Sequence, residues 1–154
     1  MSPAGRAWCL AAAVCATVLV ADQVAKRLVE ERIAVGEDVD VLGPLRLTLT
    51  HNEGVAFGLA GGSGAPLVAL TVLALGVVAY LFARQPERPL IWLGAGLLAG
   101  GALGNLLDRI RAGAVTDFIE LPHWPAFNLA DAAITCGVLV LVAIYLREAE
   151  RGRR

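Results

Sequence analysis

NLADAAITCGVLVLVAIYL, residues Asn128 to Leu146, decides the fold. From Leu129 onward it is an apolar run broken by one charge, Asp131, three residues after a natural helix-capping asparagine. A run of about 18 residues at about 1.5 Å each spans the roughly 30 Å hydrocarbon core of a bilayer. Three further stretches match it, at about 7–25, 65–83 and 90–107. The chain therefore reads as a membrane α-helical protein: a four-transmembrane-helix bundle in one domain over 1–154, with an extracytoplasmic segment at about 26–64. Its 57% hydrophobic and 18% charged content and mean hydropathy of +0.67 are wrong for an ordinary soluble domain.

Working outward, the 1–2 connection alternates Val39 and Val41 with Asp38 and Asp40. Beyond Gly43-Pro44, Leu45, Leu47 and Leu49 alternate with Arg46, Thr48 and Thr50. Period-two patterning about a turn signal predicts two short strands, a small β-sheet or cradle resting on the membrane surface between helices 1 and 2. Gly61-Gly62-Ser63-Gly64 reads as a flexible joint before helix 2. Gly96, Gly100 and Gly104 form a small-xxx-small face on helix 3, suited to close helix approach.

Basic residues set the orientation. Arg6 precedes helix 1, Arg84 and Arg88 occupy the short 2–3 loop, and Arg147, Arg151, Arg153 and Arg154 follow helix 4. Their density near the helix ends predicts that both termini are cytoplasmic. Trp8, Tyr80, Trp92 and Tyr145 fall at that interface, and Trp124 and Phe127 at the other. Arg6, the apolar run and Val20-Ala21 also permit a cleaved signal peptide, although no clear small-x-small site follows.

Net charge is −1, which gives no basic field for nucleic acid. Cys9, Cys15 and Cys136 lie inside apolar stretches and read as buried small hydrophobes. Their spacing, like that of His51 and His123, suggests no metal, and no cofactor is implied.

With this topology the polar residues converge on the outer face: Asp22 and Lys26 from helix 1, Asn105, Asp108 and Arg109 from helix 3, Asn128 and Asp131 from helix 4, and Asn52 and Asp117 from the outer connections. An ionisable residue at the edge of hydrocarbon marks a functional site by default. Asp117 and Asp131 suit a proton-sharing dyad, one drawing a proton from water and the other polarising a carbonyl. Asn105 and Asn128, donors and acceptors both, suit the orientation of those carboxylates. Each group has a plainer reading: Asp22–Lys26 as a surface ion pair, Asp108–Arg109 as a brace at the end of helix 3, Asp131 as a helix cap and Asp117 as an ordinary loop residue. A proton relay in a transporter and a non-catalytic assembly factor also stay open on these residues alone.

Five segments, taken together, resemble the lipoprotein signal peptidases, or signal peptidase II. They are Asp22-Gln23-Val24-Ala25-Lys26, Asn52-Glu53-Gly54-Val55-Ala56-Phe57-Gly58, Gly100 to Arg109, Val115-Thr116-Asp117-Phe118, and Phe127 to Ala132. Ala25 stands where the family often has a hydroxyl residue, and the stretch from Asp117 to Asp131 is compact for the family. The resemblance implies an aspartic endopeptidase of the bacterial plasma membrane that removes the signal peptide from diacylglyceryl-modified prolipoproteins, just before the lipidated cysteine. It implies Asp117 and Asp131 as the catalytic pair, with Asp22, Lys26, Asn52, Gly54, Asn105, Asp108, Arg109 and Asn128 in support. It further implies an extracytoplasmic active site, contact with membrane lipid and inhibition by globomycin. Oligomeric state is not legible in the sequence; that one chain holds a whole site is compatible with a monomer. The sheet and the segment Asn52–Gly58 would cradle or cover the substrate.

Overall fold

The computed structural model of the chain describes residues 1–54 and 65–151. The predicted joint at Gly61–Gly64, and the covering segment beyond Gly54, lie outside the described residues. Four helices carry the architecture: α1 (Pro3–Glu30), α2 (Ala65–Arg84), α3 (Ile91–Ala112) and α4 (Leu129–Arg151). All four are long and apolar enough to cross a membrane.

Two helices outrun their apolar stretches for identifiable reasons. The Ser2 hydroxyl accepts the Gly5 amide at 3.1 Å and Pro3 occupies the first turn, so α1 starts early. It continues past Ala25 because Asp22 and Lys26 point into the bundle and are buried there. Helix α3 runs on to Ala112, where Gly113 at φ +77° closes it, its amide donating a hydrogen bond to the Arg109 carbonyl.

Helix α3 is the hub, lying against α1, α2 and α4. Its glycines explain how. A Cβ on Gly96 or Gly100 would come within 2.7 Å of the Ala11 or Cys15 carbonyl of α1, and one on Gly101 would strike the Ala130 carbonyl of α4. Such backbone-to-backbone approach is the means by which helices associate where lipid offers no hydrophobic drive. Toward the other end, Gly94 and Gly137 also bring α3 and α4 together. Large side chains such as Leu70, Leu73, Leu139 and Val142 stay exposed on the outer faces, as lipid contact requires.

The sheet is larger than the sequence reading allowed. Strands β1 (Asp38–Leu42) and β2 (Leu45–Asn52) form the expected hairpin around Gly43-Pro44 between α1 and α2. Strands β3 (Val115–Leu121) and β4 (Trp124–Phe127), between α3 and α4, extend it to a four-stranded antiparallel sheet in the order β1-β2-β3-β4. Asp117 is thus a strand residue and not a loop residue, paired with Thr50 across the β2–β3 ladder. The second hairpin escaped notice because Val115, Thr116, Asp117 and Phe118 are all buried, which erases the alternation of a one-sided strand.

Two apolar clusters tie the parts together. Val29 and Ile33 meet Leu49 and Phe118, seating the sheet on the end of α1. At the opposite end Ala7, Ala11, Phe82, Ile91 and Ala95 join the helices. There Trp8 meets Phe82 edge-on at 4.6 Å, Arg88 lies over Tyr145, and Arg88 pairs with Glu148 at 2.8 Å. The cysteines are not core residues as expected: Cys9 and Cys136 are exposed on the helix surfaces and Cys15 is half-buried.

Candidate active site

The polar residues meet where α4 begins. Asn128 is its N-cap, accepting the Asp131 amide on Oδ1 at 2.9 Å, while the Asp131 carboxylate accepts the Asn128 amide on Oδ2 at 3.3 Å. This reciprocal arrangement has the logic of a capping box, with aspartate in the acidic position. Asp131 therefore is a cap partner, but one oxygen remains for other work: Oδ1 accepts Asn105 Nδ2 of α3 at 2.8 Å.

Because the Asn128 amide oxygen is committed to the helix, its nitrogen faces the sheet. It donates to Asp117 Oδ1 at 2.7 Å and also approaches Asn105 Oδ1 at 3.2 Å and the Thr116 carbonyl at 3.3 Å. A single buried residue thus bonds both carboxylates, Asp117 through its side chain and Asp131 through its main-chain amide. Asn52, at the end of β2, donates to the second Asp117 oxygen at 3.0 Å. The Asn52 amide oxygen accepts the Gly54 amide at 2.9 Å, and Gly54, at φ +75°, turns the chain there against Leu67 of α2. The positive φ is what favours glycine there.

Beneath the acids lies a buried ion cluster. Lys26 contacts Asp22 at 2.8 Å, Asp108 at 2.6 Å and Asn105 Oδ1 at 3.1 Å. The Asp22–Lys26 pair is not on the surface: Asp22 is 0% and Lys26 3% exposed. Asp108 does not brace Arg109, since neighbours one apart on a helix point in different directions. Its partners are Lys26, Gln23 at 2.8 Å and the Thr116 amide at 3.4 Å. Arg109 joins only at the margin, donating to the Asn105 carbonyl at 3.5 Å.

The two acids differ in setting. Asp117 is 2% exposed, whereas Asp131 is half-buried. Burial pushes the Asp117 carboxyl above the ordinary carboxylate range; the Asn52 bond opposes this, the Asp131 charge adds to it, and Asn128 and Lys26 oppose it further. Two carboxyls that share one hydrogen-bonding residue can act as acid and base in the same step when one proton is shared between them. Among the described residues, no three His, Cys, Asp or Glu side chains converge where a metal ion could sit.

Sequence reasoning passed over Gln23, which links Asp108 to Arg111, and Thr116, whose hydroxyl donates to Glu30 at 2.8 Å. Both stand inside segments that carry the site, beside acids that drew the attention. Glu30 gave no signal, because nothing local distinguishes it from a solvated helix end.

Comparison with known proteins extends these observations. The family model described as signal peptidase (SPase) II matches residues 14–147. The lipoprotein signal peptidase of Moorella thermoacetica is 43% identical over 139 residues, covering 88% of this chain and 93% of the relative. That of Pelotomaculum thermopropionicum is 40% identical over 143 residues, covering 92% and 94%. Among solved structures, a bacterial membrane enzyme at 2.3 Å resolution superposes with a TM-score of 0.84 at 28% identity, over 92% of this chain and 90% of that one. Another, at 1.9 Å, gives 0.79 at 27% identity, over 88% and 92%.

Proposed function

Because the chain belongs to the signal peptidase II family, the peptidases that cleave lipoprotein signal peptides, we propose that it does so as an aspartic endopeptidase with Asp117 and Asp131 as its dyad. The supporting observation is Asn128, whose side-chain amide holds Asp117 while its main chain and amide oxygen engage Asp131. Asp131 sits in the first turn of α4, where the helix dipole favours negative charge. Asp117, pushed toward protonation by burial and by Asp131, is the complementary acid.

The reaction then runs in two balanced steps. Asp131 takes a proton from a water molecule as its oxygen attacks the scissile carbonyl, and Asp117 gives its proton to the carbonyl oxygen. The tetrahedral diol collapses, the C–N bond breaks, the leaving amine takes the proton held on Asp131, and Asp117 regains its own. Asn105, Asn52 and Asn128 fix the carboxylates, while Lys26, Asp22 and Asp108 fix Asn105 and the start of α4. Arg109 and Gly54 shape the margins.

The substrate we assign is the diacylglyceryl-modified prolipoprotein, cut just before the lipidated cysteine, with globomycin as a competitor. A dyad at the headgroup level meets that bond without drawing the acyl chains out of lipid. The location we assign is the bacterial plasma membrane, with both termini cytoplasmic and the site on the outer face. The arginines and aromatic rings at the end of the bundle opposite the dyad favour that orientation.

The purified protein alone should cut a diacylated precursor and spare the unlipidated one, and globomycin should block the reaction. Asp117→Asn and Asp131→Asn should each abolish cleavage in a folded protein. Full activity in either variant ends the dyad assignment.

A further inference from the structure

The Lys26 ammonium has three hydrogens and three acceptors: Asp22 Oδ2 at 2.8 Å, Asp108 Oδ2 at 2.6 Å and Asn105 Oδ1 at 3.1 Å. Two of these are carboxylates. The third is a neutral amide oxygen, and it leads to the site.

A primary amide has nearly the same shape in its two orientations; neighbours decide which end carries oxygen. Asn105 stands between Lys26 and Asp131. An ammonium has only donors, so the Asn105 oxygen turns to Lys26 and its nitrogen meets Asp131 Oδ1 at 2.8 Å. Asn128 Nδ2 also reaches the Asn105 oxygen, at 3.2 Å, but its two hydrogens are contested by Asp117 at 2.7 Å and the Thr116 carbonyl at 3.3 Å. Lys26 is the committed donor.

We propose that Lys26 is a positioning residue: acting through Asn105, it keeps an N–H on Asp131 and so maintains that carboxylate as the anionic, water-activating member of the pair. This rests on the dyad reading above. Lys26 is too buried, at 3% exposed, to touch substrate. The charged groups around it and the pair are Asp22 on α1, Asp108 and Arg109 on α3, Asp131 on α4 and Asp117 on β3. Without Lys26 the Asn105 amide can turn over, set its oxygen against Asp131, and hold a proton on the pair to higher pH.

The test is the pH–rate profile of the full chain in lipid nanodiscs, cutting a diacylglyceryl-modified precursor. Lys26→Met strands Asp108, so the deciding variant is Lys26→Met with Asp108→Asn, which keeps the net charge of the cluster and removes the donor to Asn105. A kcat about 10- to 100-fold lower, the scale of a lost hydrogen bond to a charged group, with KM little changed and the acidic limb moved to higher pH, bears the proposal out. A parental kcat and limb in the double variant overturn it, because Lys26 then only neutralises Asp108; a loss without displacement of the limb overturns it too. Asn105→Asp leaves Lys26 its three acceptors and puts an oxygen against Asp131. It should show the same displaced limb, and a parental limb there again counts against the idea, whether or not the double variant folds. Activity in Asp131→Asn would instead remove the dyad, whereas an inactive Asp131→Asn beside a parental double variant removes the role of Lys26 alone.

Discussion

Asp22 of α1 accepts the Ala130 amide of α4 at 3.0 Å. One helix thereby caps another, although the two residues are 108 positions apart. With Asn128 taking the Asp131 amide and Asp131 taking the Asn128 amide, the opening turn of α4 is satisfied from three directions. The carboxylate we assign as base is therefore fixed by its own helix, by α3 through Asn105, and by α1 through Asp22.

Asp22→Ala should lower stability by about 1–2 kcal/mol through the lost cap, and by more where Lys26 is left short of a counter-charge. Asp22→Asn keeps an oxygen for the Ala130 amide and should retain more of both stability and activity. Thermal unfolding in detergent, paired with cleavage assays, separates the two variants. Equal behaviour would mean that the carboxylate's charge, and not its grip on α4, is what matters.

Asn128→Ala should cost stability on the scale of a lost N-cap, about 1 kcal/mol, yet cost far more in rate, because the same side chain holds Asp117. A fall in kcat beyond roughly 100-fold is expected from losing a charged-group bond and the geometry it fixes. The comparison to make is kcat against melting temperature: a rate loss no larger than the fraction unfolded explains would reduce Asn128 to a cap.

Folding raises the Asp117 carboxyl above its ordinary value. Between the two values the folded protein keeps a proton that the unfolded chain has released, so unfolding releases it and stability falls as pH rises through that window. Asp117→Asn abolishes this contribution. Its melting temperature, relative to the parent, should therefore climb as pH is raised from about 4 to about 8. A constant offset reports only the changed contact with Asn52; the slope reports the titration, and a flat or opposite slope refutes it.

The four helices were legible because hydropathy over about 18 residues is a strong local signal. So was the end of the bundle that gathers the acids, because Asp131 opens an apolar run and Asp22 and Asp108 close two others. The partners were not legible. Asp108 stands beside Arg109 in sequence but is met by Lys26 from another helix. Strand β3 hid because burial on both faces makes it look neither alternating nor loop-like. The side chains of Gln23 and Thr116 reach Asp108 and Glu30, 85 and 86 residues distant, and no local pattern encodes those contacts.

Gly104 was read as part of a packing face, and its surroundings make it more than that. A Cβ there would lie 2.7 Å from Asp22 Oδ2, in a site where Asp22 is already held by Lys26 and the Ala130 amide. Asp22 has no exposed surface into which it could retreat. Gly104→Ala should therefore cost about 1–3 kcal/mol from overpacking and lower activity by disturbing the cap of α4. Gly76, on the exposed face of α2, has nothing within 4 Å of its notional Cβ. Gly76→Ala should be neutral or stabilising, by up to about 1 kcal/mol from helix propensity, with activity unchanged. Melting curves and cleavage rates of the two variants, measured side by side, decide the matter. If Gly104→Ala behaves as Gly76→Ala does, the close approach of α1 and α3 at Asp22 is not what holds the site in register.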